Sequence, residues 1–262
     1  AVQNNIKTLE ERGYVMVKPV KGELACGCEG EGRMAEIDEV EAKVVEVLSQ
    51  NMPLLGKKIV ITAGGTKEKI DSVRYISNFS SGKMGIALAD EAYNQGAEVV
   101  LISTVNAEKP YNVKLVQSAL EMKETVEREF QDADCLIMAA AVADYRAKEI
   151  ADCKIKKTSE DEISVSLIKN PDILKEICLN KNSNQLVVGF AAESENLIDY
   201  AKEKIQKKGC DFLVANDISR SDIGFSSDYN EVYIIDKKLT VEKIERTTKV
   251  QIAKKILENI WK

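Results

Sequence analysis

The sequence predicts an α/β fold: a mostly parallel sheet with helices on both faces. From Lys58 onward, short apolar strands rich in β-branched residues alternate with helices of about three turns, as βαβ crossovers require. The strand KIVIT (58–62) is apolar almost throughout, as suits a central strand buried on both faces. Four glycine- or alanine-rich segments also follow strand ends: AGGT, AAAVADY, GFAAES and AND. In open α/β sheets ligands bind beyond the carboxyl ends of the strands, so the pattern is Rossmann-like and places a site there.

In chain order, Ala1–Arg12 reads as the tail of a helix and YVMVKP (14–19) as a short strand. The glycine-rich ACGCEGEGRM follows, then an acidic helix with Ile37, Val40, Val44, Val45 and Leu48 on one face. NMPLLGK reads as a linker, which divides the chain into residues 1–55 and 56–262. The first part is too short and too poor in apolar residues to build a core alone.

The strand at 58–62 runs into AGGT and a polar excursion, then SSGKMG opens a helix, Lys83–Gln95, with Gly96 as its natural C-cap. AEVVLIS and VKLVQS are strands, ALEMKETVEREFQ a helix and DCLIMAAAVADY a strand entering a small-residue loop. KIKK (154–157) and EISVSLI straddle a polar turn and read as a β-hairpin flap. NPDILKEICL is a helix, with Asn170 as N-cap and Pro171 in its first turn. QLVVGFAAES and CDFLVANDI are strands around the helix NLIDYAKEKIQKKG; the hairpin EVYIIDKKLTVEKIE and the amphipathic helix KVQIAKKILENIWK close the chain.

Composition excludes several functions. The net charge of −6 argues against nucleic-acid binding, though not against a local basic pocket. No apolar run approaches the roughly 18 residues of a membrane span. No signal peptide opens the chain, so a cytoplasmic location with reduced cysteines is expected. The sequence has no histidine and no CxxC pair among its six cysteines, which argues against a zinc site and against Ser-His or Cys-His nucleophiles. Chemistry is left to carboxylates, lysines, backbone amides and a metal held by substrate.

AGGT and SSGKMG each suit a phosphate cradle, because glycines admit an anion to the backbone and amides at a helix start point toward it. Each is also compatible with a plain tight turn. Neither a GxGxxG after the first strand nor an acidic residue after Ile102–Ser103–Thr104 supports an NAD-linked reductase, and the Walker pattern fails because Met84 follows Lys83. KIKK is either a solvated edge strand or a flap carrying a lysine over a polyphosphate. Lys202, Lys204, Lys207 and Lys208 suit a helix C-terminus, and Asp144 is either a helix N-cap or an acceptor for a ligand hydroxyl or amide.

ITAGGT, VRYISNFSSGKMG, AAVADY, KIKK, KNPDI, VGFAAE and AND occur in that order over residues 56–262. Together they resemble the phosphopantothenate–cysteine ligase (phosphopantothenoylcysteine synthetase) family of coenzyme A biosynthesis. ACGCEGEGRM resembles the substrate-clamp segment of the decarboxylase half of bacterial bifunctional members, with Cys26 at the family's catalytic cysteine. The remainder of that half is missing, so the resemblance implies a ligase domain carrying a decarboxylase remnant at 1–55, with no flavin and no decarboxylation.

The resemblance implies a CTP-dependent ligase with Mg²⁺ carried by phosphates. The carboxylate of 4'-phosphopantothenate attacks the α-phosphate, pyrophosphate leaves, and cysteine's amine converts the acyl-cytidylate to the amide and CMP. By the same resemblance Gly64, Ser80, Gly82 and Gly85 match the triphosphate cradle, and Phe190 and Asn216 match nucleoside contacts. Ala140, Ala141, Asp144 and the turn Pro171, Asp172, Ile173, Leu174 match other parts of the nucleotide and pantothenate pocket. Lys204 and Lys208 match lysines facing the nucleotide. Asn78 matches the residue holding the pantothenate carboxyl and the intermediate, Lys154 matches the flap lysine, and Arg74 matches an arginine reaching the neighbouring subunit's substrate, implying a homodimer. The rival reading from another class is a noncatalytic nucleotide-binding or regulatory module on the same scaffold.

Overall fold

The computed structural model describes residues 2–23, 29–156, 162–193, 196–217 and 227–261. The chain separates into two compact units, Ala1–Leu55 and Gly56–Lys262. Cys26 and Lys157 lie outside the described residues.

The first unit comprises helix α1 (Val2–Glu11), strands β1 (Val20–Glu23) and β2 (Glu29–Arg33), and helix α2 (Ile37–Asn51). The strand expected at 14–19 does not form. The ladder begins at Val20, after Pro19, and pairs β1 antiparallel with β2. The apolar residues of α2 form the expected helix, but Ile37, Val44, Val45 and Leu48 remain exposed.

The second unit opens with β3 (Lys58–Ala63), the small strands β4 (Lys67–Lys69) and β5 (Tyr75–Ser77), and α3 (Lys83–Asn94). It continues through β6 (Glu98–Ser103), β7 (Asn112–Leu115), α4 (Ala119–Glu129), β8 (Cys135–Met138), β9 (Tyr145–Ala147) and β10 (Leu167–Lys169). The remaining elements are α5 (Ile173–Asn180), β11 (Leu186–Glu193), α6 (Leu197–Lys208), β12 (Phe212–Asp217), β13 (Tyr229–Asp236), β14 (Val241–Thr248) and α7 (Lys249–Ile260).

Eight strands form the main sheet in the order β14-β13-β12-β11-β8-β3-β6-β7, parallel from β12 to β7, with β13 and β14 antiparallel at one edge. The six parallel strands, numbered along the chain, follow the 3-2-1-4-5-6 order of a doubly wound sheet, with the switch point between β3 and β8. Val60, Ile102, Leu136, Val187 and Leu213 of the strands share one core with Met122 and Val126 of α4, Ile173 and Ile177 of α5, and Ile205 of α6. Alternate strand residues such as Ile59, Ile61 and Leu101 are also fully buried, on the face where α3 packs on β3 and β6 and α7 packs on α3. Both faces are therefore covered, and the continuous apolar strands follow from that.

Two local expectations are corrected. KIKK is not half of a hairpin; the antiparallel pair is β9 with β10, and Lys154–Lys156 has no regular structure. Tertiary bonds take the backbone there: Ile155 N donates to Asp71 Oδ2 (3.1 Å), and the Ile155 carbonyl accepts from Arg74 Nη2 (2.8 Å). Asn170 is also not the cap of α5. Asp172 holds that place, accepting from Lys175 N (3.2 Å), so Pro171 precedes the helix. Asn170 instead donates to the Ala143 carbonyl (2.8 Å) and accepts from Arg146 (3.1 Å), tying β9's entry to α5.

Candidate active site

The site forms where the fold places it, past the carboxyl ends of β3, β8, β11 and β12. After β3 and β8 the two chains are stitched together: Ala141 N donates to the Gly64 carbonyl (2.8 Å) and Thr66 N to the Ala141 carbonyl (3.2 Å). The hydroxyls of Thr62 and Thr66 accept from Ala140 N (3.0 Å) and Ala143 N (2.9 Å). Both threonines are buried, so these bonds fix the small-residue loop as a rigid floor.

Over that floor lies a cavity of about 620 Å³, bounded by Ser77–Gly85, Ala139–Val142, Asp144, Phe190–Ala192, Lys204, Asn216, Asn230 and Lys249. A second, of about 590 Å³, is bounded among others by Lys169–Leu174, Lys204, Lys207 and Lys208. Ala140, Val142, Asp144, Phe190 and Lys204 border both, so the two form one branched site.

The start of α3 borders the first cavity. Gly82 caps it in the left-handed region (φ 74°), where any side chain would be strained; Ser80 Oγ and Ser81 Oγ accept long bonds from Gly82 N (3.4 Å) and Lys83 N (3.5 Å). Gly85 lets α3 approach β3: a Cβ there would fall 2.6 Å from the Thr62 carbonyl and 2.7 Å from Ala63 Cβ. The amides of this first turn therefore sit against the ends of the parallel strands.

Of the residues singled out from the sequence, Asn78, Ser80, Gly82, Gly85, Ala140, Ala141, Asp144, Phe190, Lys204 and Asn216 border the first cavity. Pro171, Asp172, Ile173, Leu174 and Lys208 border the second. Asn78 Nδ2 donates to the Val142 carbonyl (3.2 Å), and its amide has a second N–H to offer. Lys208 is paired with Asp172, and Lys204 lies 3.7 Å from Glu193. Gly64 does not line either cavity but backs Gly82, whose Cβ would stand 3.4 Å from Gly64 N. Asp144 caps no helix; its carbonyl accepts from Asn170 N (2.8 Å).

Arg74 and Lys154 border neither cavity. Arg74 grips the fully buried Asp71 carboxylate through Nε (2.9 Å) and Nη2 (2.5 Å). Burial pushes that carboxyl up, but the Arg74 guanidinium and the amides of Val73, Ile155 and Arg74 outweigh it and hold it well below the ordinary carboxylate range. Asp71 thus anchors both the excursion bearing Arg74 and the segment bearing Lys154. Lys154 is exposed, one residue from this anchor.

Sequence reasoning missed Asp71, Lys83, Asn230 and Lys249. Lys83 pairs with Asp228 (2.6 Å), and Lys249 is buried in the cavity wall. Lys249 carries one visible signal: a lysine directly after the cap of a helix opposes the helix dipole. Among the described residues no group of three or more His, Cys, Asp or Glu side chains is placed to hold a metal ion. Asp144 is the carboxylate that borders both cavities.

Comparison with known proteins accounts for this architecture. The family model for the DNA/pantothenate metabolism flavoprotein C-terminal domain matches residues 54–262. The chain belongs to this family. It is 40% identical over 264 residues to the Coenzyme A biosynthesis bifunctional protein CoaBC of Borreliella burgdorferi, covering 99% of this chain and 66% of that protein. A protein named Cysteine/Cysteine sulfinic acid decarboxylase, from an unknown prokaryotic organism, is 41% identical over 268 residues, covering 99% of this chain and 74% of that one. Among solved structures, the C-terminal domain of CoaBC superposes with a TM-score of 0.68 at 39% identity, covering 80% of this chain and 96% of that one. The chain thus spans just under two thirds of the first relative's length, and the family match falls on the unit that carries both cavities. No helix among the described residues is long and apolar enough to cross a membrane.

Proposed function

We propose that this flavoprotein-family domain is a ligase of coenzyme A biosynthesis, joining 4'-phosphopantothenate to L-cysteine at the expense of CTP. The observation that carries this reading is the branched cavity itself. One arm is floored by small residues and faced by the start of α3; the other is bordered by Lys207 and Lys208, with Lys204 between the two. A nucleoside triphosphate and an acidic co-substrate fit such an arrangement, and the CoaBC relatives are named for this pathway.

In the proposed reaction a carboxylate oxygen of phosphopantothenate forms a bond to the α-phosphorus, and the bond to the β-phosphate oxygen breaks, releasing pyrophosphate. The neutral amine of cysteine then adds to the acyl carbon, the bond to the cytidylate oxygen breaks, and CMP leaves; the amine's surplus proton passes to solvent or product phosphate. The first step calls for positioning and charge stabilisation rather than a protein nucleophile, consistent with a chain lacking histidine. The α3 amides would hold phosphate oxygens, and Asn78's second N–H would hold the substrate carboxyl and then its oxyanion. Lys154 would reach the α-phosphate by movement of its segment about the Asp71 anchor. Mg²⁺ would be held mainly by phosphates, with Asp144 at hand.

A second copy would complete the site. Val73, Tyr75 and Phe79 are 59%, 54% and 88% exposed on the excursion that carries Arg74, an apolar strip suited to a homodimer contact. Residues 1–55 would be the remnant of a decarboxylase domain in a longer cytoplasmic protein. The two cavities on which the ligase reading rests lie in residues 56–262.

The test is a mixture of protein, CTP, Mg²⁺, phosphopantothenate and cysteine, followed for CMP and pyrophosphate. Stoichiometric formation of both, dependent on both acceptors for full turnover, supports the ligase. CTP binding without turnover would favour the noncatalytic module.

A further inference from the structure

We infer that Lys249 is an anion-binding residue of the cavity, holding the terminal phosphates of the nucleotide that leave as pyrophosphate. The inference rests on the CTP-dependent reading and adds a residue to it.

Lys249 is 6% exposed and borders the first cavity. Its position is costly in three ways. Burial penalises the ammonium, and the side chain stands on the first turn of α7, where the helix dipole repels a cation. Lys83 adds like-charge repulsion, which Asp228 offsets in part; burial foremost, then Lys83, pull the Lys249 ammonium's pKa down. A bound polyanion would favour the charged ammonium beyond what its interactions within the chain supply.

The geometry places this cation at a chosen end of the site. Asp228 ties two helix starts together: its carboxylate accepts from Lys83 Nζ (2.6 Å), at the start of α3, and its carbonyl accepts from Lys249 N (2.9 Å), at the start of α7. Both helices therefore direct their positive ends and a lysine at one region of the cavity wall. That region belongs to the first arm alone. Lys207 and Lys208 border only the second arm, whereas the α3 amides proposed to hold phosphate oxygens face the first. The phosphates of a nucleoside triphosphate held by those amides would then lie against α3, Lys83 and Lys249.

The test is calorimetric binding of Mg-CTP, CMP and Mg-pyrophosphate to the full chain and to Lys249→Met and Lys249→Arg. Lys249→Met should weaken CTP and pyrophosphate at least tenfold while leaving CMP within about twofold, and Lys249→Arg should recover most of the loss. Unchanged CTP and pyrophosphate affinity, or an equal loss for CMP, overturns the inference. Wild-type protein that binds none of the three would overturn the ligase reading instead. Should Lys249→Met fail to fold, amine acylation of the wild-type protein, read by peptide mass spectrometry, decides the matter. Pyrophosphate should protect Lys249 at least fivefold and CMP should not; equal labelling with and without pyrophosphate contradicts the proposal.

Discussion

Replacing Gly85 with alanine adds one methyl group between α3 and β3, and the structure says how badly it fits. The new Cβ would stand 2.7 Å from Ala63 Cβ, roughly 1 Å short of a comfortable carbon–carbon contact, and 2.6 Å from the Thr62 carbonyl. Both neighbours are backbone or Cβ atoms of a central strand bonded on each side to β6 and β8, so they cannot turn away. The helix must move. Overpacking of this kind costs about 1–3 kcal/mol. Alanine's better helix propensity returns about 1 kcal/mol. The net loss is about 1 kcal/mol, or roughly 3 °C in Tm for a domain of this size. The catalytic effect should be much larger, because the α3 amides move with the helix; a displacement near 1 Å costs roughly a hundredfold in rate. Thermal unfolding and steady-state pyrophosphate release measure the two losses. A variant with unchanged or raised Tm and undiminished kcat/KM would refute both the close approach and the role of this helix start.

Three further outcomes are expected. Asp71 is held ionised in the folded state with its carboxyl below the ordinary value of 3.8, so its contribution is fully present above that value and is lost as pH falls below it. Asp71→Asn should therefore lower Tm at neutral pH and flatten the acid limb of the Tm–pH profile below about pH 4; an unaltered acid limb would contradict the anchor's role. Lys154→Gln should slow pyrophosphate release by roughly 10²- to 10³-fold with little change in Tm, as loss of a transition-state donor does, and a near-normal rate would remove Lys154 from the chemistry. Asn78→Asp should impair conversion of the acyl-cytidylate to product more than its formation, read by rapid quench; equal losses in both half-reactions would argue for a purely binding role.

The sheet was legible in the sequence because its strands are buried on both faces. KIVIT, VVLIS and LVV carry no polar alternation, and only a central parallel strand tolerates that. The site was legible in part for the same topological reason: small-residue loops after several strands converge once the strands are parallel. The failures share a cause, which is tertiary bonding that no local pattern encodes. KIKK is apolar-poor and turn-flanked, but its backbone is claimed by Asp71 and Arg74, more than 80 residues earlier. Asn170 and Asp172 are both good caps; Asn170 is drawn off by Ala143 and Arg146, so Asp172 takes the helix. In the sequence Lys249 is simply the first residue of the closing amphipathic helix KVQIAKKILENIWK. Only the antiparallel pair β13–β14 at the sheet's edge brings that helix back against α3, where its first residue enters the cavity wall.

In the proposed reaction the acid is activated by bonding its own oxygen to the α-phosphorus of CTP. Phosphopantothenate labelled with ¹⁸O in its carboxylate, turned over with CTP and cysteine, tests it directly. One labelled oxygen should appear in the phosphate of CMP and none in pyrophosphate. Label in pyrophosphate or inorganic phosphate, or unlabelled CMP accompanying full amide formation, would contradict it.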